Sequence, residues 1–386
     1  MRRILVMDYG LCNFHNLIKL VESGHRVFVA TTSPKDNPES YYHSLGITIV
    51  STDVTSRESI RRKFIEDNRI DTLINTIPML PVPDHMKDGI DYIGHSKLSS
   101  RLECNKWETR KQVEELGIKV PKLLNEITLP CVVKPRVVLS GIHDIASIFT
   151  SQKHLDWFET VDDYPDYYVE EYIPDNIESN VEFVISGGKW SIIHHQQVLG
   201  EDTAKMAGGF THWTRFAGYK NLSDENRELT LKNAEIILDY ISTLGGDYVG
   251  QITGLIKDGE WYFCEINGRP EQSNSLPQFI TGDEWLESMH GKPEILGDSF
   301  PFDVQKVIVQ PSSPDVPYPF HLHEKYDVSI PCGLDIIAGK HRLARTFRKR
   351  SPDRCIGIII CDHRIPQEFI EEIQINSKYF VSHCFL

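Results

Sequence analysis

The stretch EWYFCEINGRPEQ, Glu260 to Gln272, decides the fold. Its first half is rich in aromatic residues, which favour β-strand, and its second half places Glu265, Asn267 and Arg269 at alternate positions. Because side chains alternate between the two faces of a strand, we expect these three polar groups to converge on one spot. A carboxylate and an amide oxygen suit Mg²⁺ or Mn²⁺, and a neighbouring arginine suits a phosphate or acyl phosphate. The alternative interpretation is a strand end that frays into a polar loop.

The composition is that of an ordinary globular protein with an acidic balance. The chain has 386 residues, 40% of them hydrophobic and 25% charged, and a formal net charge of −14. This charge argues against general nucleic-acid binding and against docking on anionic lipid. No stretch approaches transmembrane length, and Asp8 interrupts the apolar N-terminal run before a signal peptide could form. The eight cysteines form no Cys-x-x-Cys pair, so we expect reduced thiols in a cytoplasmic protein.

The hydrophobic patterns predict an α/β protein with three regions. Strand-like runs such as RRILVMD and RVFVATT alternate with helical patterns such as FHNLIKLVESG, so residues 1–95 are expected to form an open parallel-sheet domain. Charged helices, strands and hairpins follow over residues 96–300, with a small lobe expected at about 120–185. Residues 301–386 are expected to form a small β-rich C-terminal domain.

Further charged residues precede the deciding stretch in an ordered series. Lys106 lies on a charged helical pattern, Lys134 ends the apolar run PCVVKP, and the paired acids Glu170 and Glu171 end YYVEE before Glu178 follows a proline. Two fixed cations and a divalent ion would offset the charge of a triphosphate in a dry cleft. Taken singly, Lys106 is better explained as a solvated helix lysine and Glu178 as a loop acid, whereas Lys134 ends a strand that is expected to be buried.

This order of motifs resembles the ATP-grasp superfamily, and within it most closely phosphoribosylamine–glycine ligase, also called glycinamide ribonucleotide synthetase. The resemblance covers about residues 70–275 and rests on four segments: YIGHSKLSSRLECNKWETRKQVEELGIKVP, LPCVVKPRVVLSGIHDI, VEEYIPDNIES and CEINGRPEQ. It implies a two-lobed α+β ATP-grasp domain and an ADP-forming carbon–nitrogen ligase that uses ATP with Mg²⁺ or Mn²⁺. In such enzymes ATP phosphorylates a carboxylate, and an amine then attacks the acyl phosphate.

The resemblance also implies roles for individual residues. The implied roles are phosphate contact by Lys106 and Lys134, a remnant of the phosphate loop at Gly141, adenine binding by Glu170 and by the backbone near Glu171 and Ile173, ribose binding by Glu178, metal binding by Glu265 and Asn267, and stabilisation of the acyl phosphate by Arg269. The strand expected to pair with the deciding stretch carries Gln251 and Thr253, where many ATP-grasp enzymes have a further acid.

The sequence departs from the family pattern mainly in its loops. RVVLSGIH keeps only one glycine of the phosphate loop, and Arg136 or His143 could compensate. The first βα turn is DYGLCNFHN where the family has a glycine-rich phosphate cradle, and TIPMLP replaces a second glycine turn. We expect small-molecule carboxylate and amine substrates, and the altered loops indicate that the amine is not phosphoribosylamine. His194, His195 and His212 have no acid or cysteine at ligand spacing and are expected on the surface or in a substrate loop.

Two alternatives stay open at this point. The first is a true glycinamide ribonucleotide synthetase with a diverged N-terminal domain. The second is a catalytically silent nucleotide-binding regulator on the same scaffold, which the loss of loop glycines favours and the retained charged residues oppose. A homodimer is also left open by the sequence.

Overall fold

The protein is described here by a computed structural model that divides into two compact units. The described residues are 1–8, 14–31, 43, 46–77, 80, 82–138, 147–159, 166–199, 218–220, 222–269, 281–290, 304–311, 321–326, 358–362, 366, 368–369, 371–372 and 379–383. The first unit comprises Met1–Gln196 and Leu222–Ser299, and the second comprises Gln197–Asn221 and Phe300–Leu386. The boundaries predicted at residues 95 and 300 stay predictions.

The first unit begins with a parallel sheet of strand order β3-β2-β1-β4-β5. Its strands are β1 Arg3–Asp8, β2 Arg26–Thr31, β3 Ile47–Val50, β4 Thr72–Asn75 and β5 Asp91–Gly94, and its helices are α1 Phe14–Glu22, α2 Asp53–Ser56 and α3 Glu58–Asn68. Ile4, Leu5 and Val6 are consecutive and all buried, which is the pattern of a strand covered on both faces. The predicted βαβ alternation is therefore confirmed in this part of the chain.

A smaller antiparallel sheet of order β6-β9-β7-β8 follows. Its elements, with the two helices that precede them, are α4 Lys97–Cys104, α5 Lys106–Glu115, β6 Leu123–Leu124, β7 Cys131–Pro135, β8 Ser147–Phe149, α6 Gln152–Glu159 and β9 Tyr167–Glu171. Cys131, Val133, Phe149 and Val169 form the buried core of this sheet. Cys131 is a free thiol there, and burial raises its pKa.

Long antiparallel strands form the rest of the first unit, in the order β14-β13-β10-β11. The elements are β10 Ile177–Ser186, β11 Lys189–Leu199, α7 Asp224–Thr243, β13 Tyr248–Lys257, β14 Glu260–Asn267 and α8 Gly282–Ser288. Asp258 and Gly259 join β13 to β14, both with positive φ, as a type I′ two-residue hairpin turn requires. One sheet face packs on α7 through a large apolar cluster that includes Phe183, Ile237 and Ile252.

The second unit is built from antiparallel pairings. Its further elements are β12 Gly218–Lys220, β15 Val304–Pro311, α9 His321–Tyr326, β16 Ile358–Asp362 and β17 Tyr379–His383. The end of β11 pairs with β12, β12 pairs with β15, and β15 pairs with both β16 and β17. Within the part of the chain that the structure describes, no helix combines the length and apolar character needed to cross a bilayer.

A β-bulge interrupts β14 at Cys264. Thr253 pairs with Glu265 and Gly254 pairs with Phe263, so Cys264 is an extra residue without an opposite partner. Before the bulge Trp261 and Phe263 lie in the core, and after it Ile266 does. Uninterrupted alternation would have put Glu265 in the core beside Phe263, but the extra residue reverses the alternation. The bulge therefore aims Glu265 and Asn267 at the face opposite the core.

Gly254 makes room for the core side of this bulge. A Cβ placed on Gly254 would lie 1.9 Å from the Trp261 ring, so only glycine lets the ring cross the strand there. The indole Nε1 of Trp261 donates to Ser179 Oγ at 2.9 Å, which fixes the ring in this position. Trp261 is 2% exposed and lies within the apolar cluster, so the ring is enclosed by the core.

We predict that Gly254→Ala destabilises the protein by about 1–3 kcal/mol or more, because the added methyl overpacks the Trp261 ring. The measurement is the urea midpoint of the variant against that of the wild type. Glu235→Ala, on the exposed side of α7, is the control and should stay within about 0.5 kcal/mol. Equal midpoints for the two variants would contradict the close packing of Trp261 on Gly254.

Candidate active site

Six polar side chains lie together on the sheet face opposite the apolar cluster. The strand register aligns them in two rows across β10, β13 and β14: Asn180, Thr253 and Glu265 in one row, and Glu182, Gln251 and Asn267 in the other. Five of them are less than 9% exposed, and Glu265 is partly buried. Buried polar side chains are costly unless their hydrogen bonds are satisfied, so their grouping here indicates a candidate binding site. We name this set the polar face and treat it as the floor of that site.

Glu265 lies at the end of this face among three cations. Lys106, the first residue of α5, places its Nζ 2.5 Å from Glu265 Oε2. Burial by itself would raise the pKa of Glu265, but the positive charges of Lys106, Lys134 and Arg269 outweigh it and lower the pKa to about 2. Glu265 is therefore an ionised carboxylate at neutral pH. Asn267 Nδ2 donates to its other oxygen at 3.3 Å, which joins the two predicted metal ligands directly.

Lys134 is held by a second buried carboxylate. Its Nζ lies 2.8 Å from Glu170 Oε2 and donates to the Cys264 carbonyl at 3.2 Å. The backbone of the bulge residue therefore also helps to position the lysine. Burial opposes the charge on Lys134, but Glu170 and its neighbours raise the lysine pKa well above its usual range. Lys134 therefore keeps its charge although it is only 5% exposed.

Arg110 completes the charge balance around Glu170 and was missed by the sequence reasoning. Its Nε donates to Glu170 Oε1 at 2.7 Å, and its Nη2 donates to the Pro121 carbonyl at 2.8 Å. Arg110 is 3% exposed, whereas the neighbouring Lys111 pairs at the surface with Glu108. Arg110 lies on the inner side of α5 and Lys111 lies on its outer side. The sequence WETRKQV alone does not reveal this difference. Glu170 was predicted to bind adenine, but one of its carboxylate oxygens pairs with Lys134 and the other pairs with Arg110.

Glu103 fixes the turn that follows β14. One of its oxygens accepts from Gly268 N at 2.8 Å, and the other accepts from Arg269 Nη1 at 2.5 Å. Arg269 Nη1 also donates to Asn267 Oδ1 at 3.3 Å. A Cβ on Gly268 would lie 2.7 Å from Ser99, so glycine is needed for the strand end to approach α4 this closely. Glu103 lies within one of the four segments that carry the family resemblance, but no role was predicted for it.

The other predicted site residues lie farther along the smaller sheet or outside the described residues. Glu171 accepts from Lys122 N at 2.8 Å, at the edge formed by β6 and β9. Ile173 is 8% exposed just beyond the end of β9. Glu178, near the start of β10, is close enough to Cys264 for its charge to help raise the pKa of that thiol, although burial is the main cause. Gly141 and His143 are outside the described residues.

Arg136, one of the two residues that could compensate for the missing loop glycines, is engaged in local contacts. Its guanidinium lies 4.1 Å from the centre of the Trp107 ring, and its Nε lies 3.3 Å from a carboxylate oxygen of Asp166. The Arg136 carbonyl also accepts from Trp107 N at 3.2 Å. These contacts attach the chain after β7 to the start of α5, next to Lys106.

The expectation for the histidines was wrong for two of the three. His194 and His195 are 2% and 5% exposed in β11, not on the surface, and their rings are 6.1 Å apart between centroids. Burial lowers the pKa of His194 to about 3, so its ring is neutral at physiological pH. Neighbouring residues of a strand face opposite sides of the sheet, so the burial of both indicates that β11 is covered on both faces at this point. His212 is outside the described residues.

The oxygen atoms of the polar face fit a hard divalent cation. Among the described residues no three side chains of His, Cys, Asp or Glu gather as metal ligands, so a cation here would be held by Glu265 together with amide oxygens. Asn267 supplies one such oxygen, and the neighbouring row contributes Asn180 Oδ1, which is buried and has no hydrogen-bond partner. Carboxylate, amide and water oxygens are the donors that Mg²⁺ and Mn²⁺ prefer.

Comparison with known proteins identifies chains of similar sequence and similar fold. No family profile matches the chain. A D-alanine–D-alanine ligase of Fervidobacterium nodosum is 25% identical over 237 residues, which are 54% of this chain and 69% of that protein. The structure of an L-amino acid ligase from Bacillus licheniformis is similar with a TM-score of 0.64 at 14% identity, covering 100% of this chain and 99% of the other. A biotin carboxylase–β,γ-ATP complex from Campylobacter jejuni gives 0.61 at 13% identity, covering 99% and 92%.

These likenesses concern the fold. The predicted α/β class, with one parallel and several antiparallel sheets, is confirmed, and the chain has the ATP-grasp fold that its motifs resemble. The finer resemblance to phosphoribosylamine–glycine ligase stays a prediction.

We predict that Arg110→Ala destabilises the protein by about 3–5 kcal/mol, because it removes one partner of a buried ion pair and leaves Glu170 with a single cation. The matched control is Lys111→Ala, since surface ion pairs contribute at most about 1 kcal/mol. Urea denaturation of the two variants measures the difference. A loss for Arg110→Ala no larger than that for Lys111→Ala would contradict the buried network.

Proposed function

We propose that the protein is an ATP-dependent ligase that joins a carboxylate to an amine through an acyl phosphate and releases ADP and phosphate. The observation that carries the proposal is the arrangement of Lys106, Lys134 and Arg269 around the ionised Glu265. Three converging cations beside an oxygen-rich sheet face are suited to a polyphosphate and its metal ion, and they are poorly suited to an uncharged ligand.

The charged side chains are already positioned before a nucleotide enters. Lys134 is fixed by Glu170 and by the Cys264 carbonyl, and Arg269 is fixed by Glu103. Groups held in this way need little reorganisation when charge develops in a transition state, which is the main source of electrostatic catalysis. Lys106 balances Glu265 in the free protein. We infer that Lys106 would contact the phosphates once Glu265 held a metal ion.

Glu265 and Asn267 would hold the metal ion. When bound, Mg²⁺ or Mn²⁺ would neutralise phosphate oxygens during transfer. The chain itself would orient the reactants, with Lys106 and Lys134 contacting phosphate oxygens and Arg269 contacting the substrate carboxylate. A carboxylate oxygen attacks the γ-phosphorus, and the bond to the bridging oxygen breaks to release ADP. The amine nitrogen then attacks the acyl carbon, phosphate leaves with the carbon–oxygen bond electrons, and the nitrogen loses a proton to solvent.

The names of the similar proteins support this reaction class. The D-alanine–D-alanine ligase and the L-amino acid ligase are both ligases by name, and the biotin carboxylase structure contains an ATP analogue. An N5-carboxyaminoimidazole synthetase from Staphylococcus aureus, with a TM-score of 0.59 at 12% identity over 97% of both chains, was solved with ADP. A catalytically silent regulator would have no need for the complete set of charged side chains around Glu265.

We predict that millimolar Mg-ATP stabilises the wild-type protein, by about 2.7 kcal/mol at a hundred times its Kd. Glu265→Gln should lose both the metal-dependent part of this shift and the release of ADP, because an amide is a weaker metal ligand of equal size. Thermal unfolding with and without Mg-ATP is the measurement.

The control for this experiment is Glu260→Gln, an exposed acid on the same strand that pairs with Lys119. It should retain the full thermal shift. No shift in the wild type at millimolar nucleotide would count against the proposed function, and an unchanged shift and turnover in Glu265→Gln would remove Glu265 from the mechanism.

We also predict that phosphoribosylamine is not the amine substrate, although the closest motif resemblance is to the ligase that uses it. The first βα turn, DYGLCNFHN, carries bulky residues where that family has a glycine-rich phosphate cradle, and the residues 9–13 within it are outside the described part of the chain. The assay supplies glycine, ATP and freshly generated phosphoribosylamine and detects the product by mass. Robust turnover would overturn this prediction.

A further inference from the structure

Lys106 contacts the carboxylate oxygen that the proposed metal ion would use. Its Nζ lies 2.5 Å from Glu265 Oε2, and the two side chains are 14% and 30% exposed. Bonds from Mg²⁺ to oxygen are about 2.0–2.1 Å long, so a metal ion on Oε2 would lie within about 5 Å of the ammonium group. Positive charges at that separation repel each other, and they do so strongly where water is partly excluded. Lys106 and a metal ion therefore compete for Glu265.

The other oxygens of the two predicted metal ligands also accept hydrogen bonds from the chain. Glu265 Oε1 accepts from Asn267 Nδ2, and Asn267 Oδ1 accepts from Arg269 Nη1, both at 3.3 Å. Thr253 lies opposite Glu265 on β13 and adds no charge. The two bonds at 3.3 Å are long, whereas the Lys106 contact is short and joins two full charges. Among these donors, Lys106 is therefore the strongest competitor of a metal ion.

Lys106 differs from the two other cations of the site in the acid with which it pairs. Lys134 pairs with Glu170 and Arg269 pairs with Glu103, and neither acid is a predicted metal ligand. The acid paired with Lys106 is the predicted metal ligand itself. Lys106 is also the first residue of α5, at the positive end of the helix dipole, where a cation is disfavoured. A metal ion that displaced this lysine would leave a largely buried cation, which is costly unless a second anion is present.

We propose, on the basis of the ligase function above, that Lys106 keeps divalent cations off Glu265 until nucleotide phosphates are present to pair with the lysine. The protein then binds Mg²⁺ or Mn²⁺ well only together with a nucleotide, and it binds the free ion poorly. Because coupling between two ligands is reciprocal, the nucleotide and the metal ion raise each other's affinity by the same factor, typically about fivefold to 150-fold. Lys106 is thus the residue that makes the site specific for the metal–nucleotide complex.

A purely structural interpretation of the same ion pair gives a different expectation. In that interpretation, Lys106 and Glu265 attach α5 to β14, and the metal affinity does not depend on the lysine. Removal of the lysine then lowers stability without a gain in metal binding. In our proposal, its removal leaves Glu265 without its main competitor for a metal ion. The affinity for the free ion then rises, although a residue expected to bind phosphate has been lost.

Mn²⁺ alone, without nucleotide, is titrated into the wild-type protein and into Lys106→Met, which keeps most of the side-chain length and removes the charge. The electron paramagnetic resonance signal of free aqueous Mn²⁺ gives the amount bound. We expect Lys106→Met to bind one Mn²⁺ about tenfold to a hundredfold more tightly than the wild type, as expected for loss of a competing charged contact. Equal affinities in the two proteins would overturn the proposal.

Two further variants locate the gained binding. Lys111→Met removes an exposed lysine of the same helix that pairs with Glu108, and its Mn²⁺ affinity should equal that of the wild type. The double variant Lys106→Met/Glu265→Gln should lose the gained binding, because the metal ligand has been replaced by an amide. Retention of the binding would place the ion elsewhere and overturn the proposal, as would a similar gain in Lys111→Met.

The wild type alone tests the proposal if Lys106→Met does not fold. Its Mn²⁺ uptake is compared without nucleotide and with a non-hydrolysable ATP analogue. Uptake at least about fivefold weaker without the analogue supports the proposal. Uptake that is equally tight in both conditions, and that Glu265→Gln abolishes, would overturn it.

The Mg-ATP thermal shift separates failure of this proposal from failure of the ligase function. A normal shift in the wild type, together with equal Mn²⁺ affinities of the wild type and Lys106→Met, would overturn the proposal alone. Absence of the shift in the wild type would refute the ligase function on which the proposal rests.

Discussion

The bulge at Cys264 is the constraint on which the candidate site depends. One extra residue in β14 lets Trp261 and Phe263 pack in the core while Glu265 and Asn267 face the opposite side. Without it, regular alternation would bury a carboxylate in an apolar cluster, at a cost that a marginally stable protein does not tolerate. The carbonyl of the bulge residue also accepts a hydrogen bond from Lys134 Nζ. A single backbone irregularity therefore orients both a predicted metal ligand and a predicted phosphate-binding lysine.

Charge balance then connects the remaining parts of the first unit. Glu265 pairs with Lys106 from α5, Glu170 pairs with Lys134 and Arg110, and Glu103 from α4 pairs with Arg269. Each of these three carboxylates has at least one cation, and the pairs link two helices to two sheets. Such pairs add little net stability over apolar packing, but breaking one is costly. Their value to the protein is the position of the charges, which a nucleotide-binding reaction would use.

Local patterns in the sequence were sufficient for the class of fold and for part of the site. The alternation of strand-like runs with helical patterns along the chain predicted the parallel sheet. The spacing of Glu265 and Asn267 predicted that their side chains share a face of a strand, which they do. The contacts that orient them could not be predicted, because their partners are distant in sequence: Glu103 binds Gly268 and Arg269 across more than 160 residues. The bulge has no local signal, since Cys264 is compatible with an ordinary strand. Burial of His194 depends likewise on which elements cover β11.

Direct observation of the metal and nucleotide tests the central claim most directly. Crystals grown with Mn²⁺ and a non-hydrolysable ATP analogue would be measured at the manganese absorption edge. We predict an anomalous peak within ligand distance of Glu265 and Asn267, with the polyphosphate in contact with Lys106 and Lys134. Manganese and nucleotide bound at a different place, with Lys106 still paired to Glu265, would contradict it.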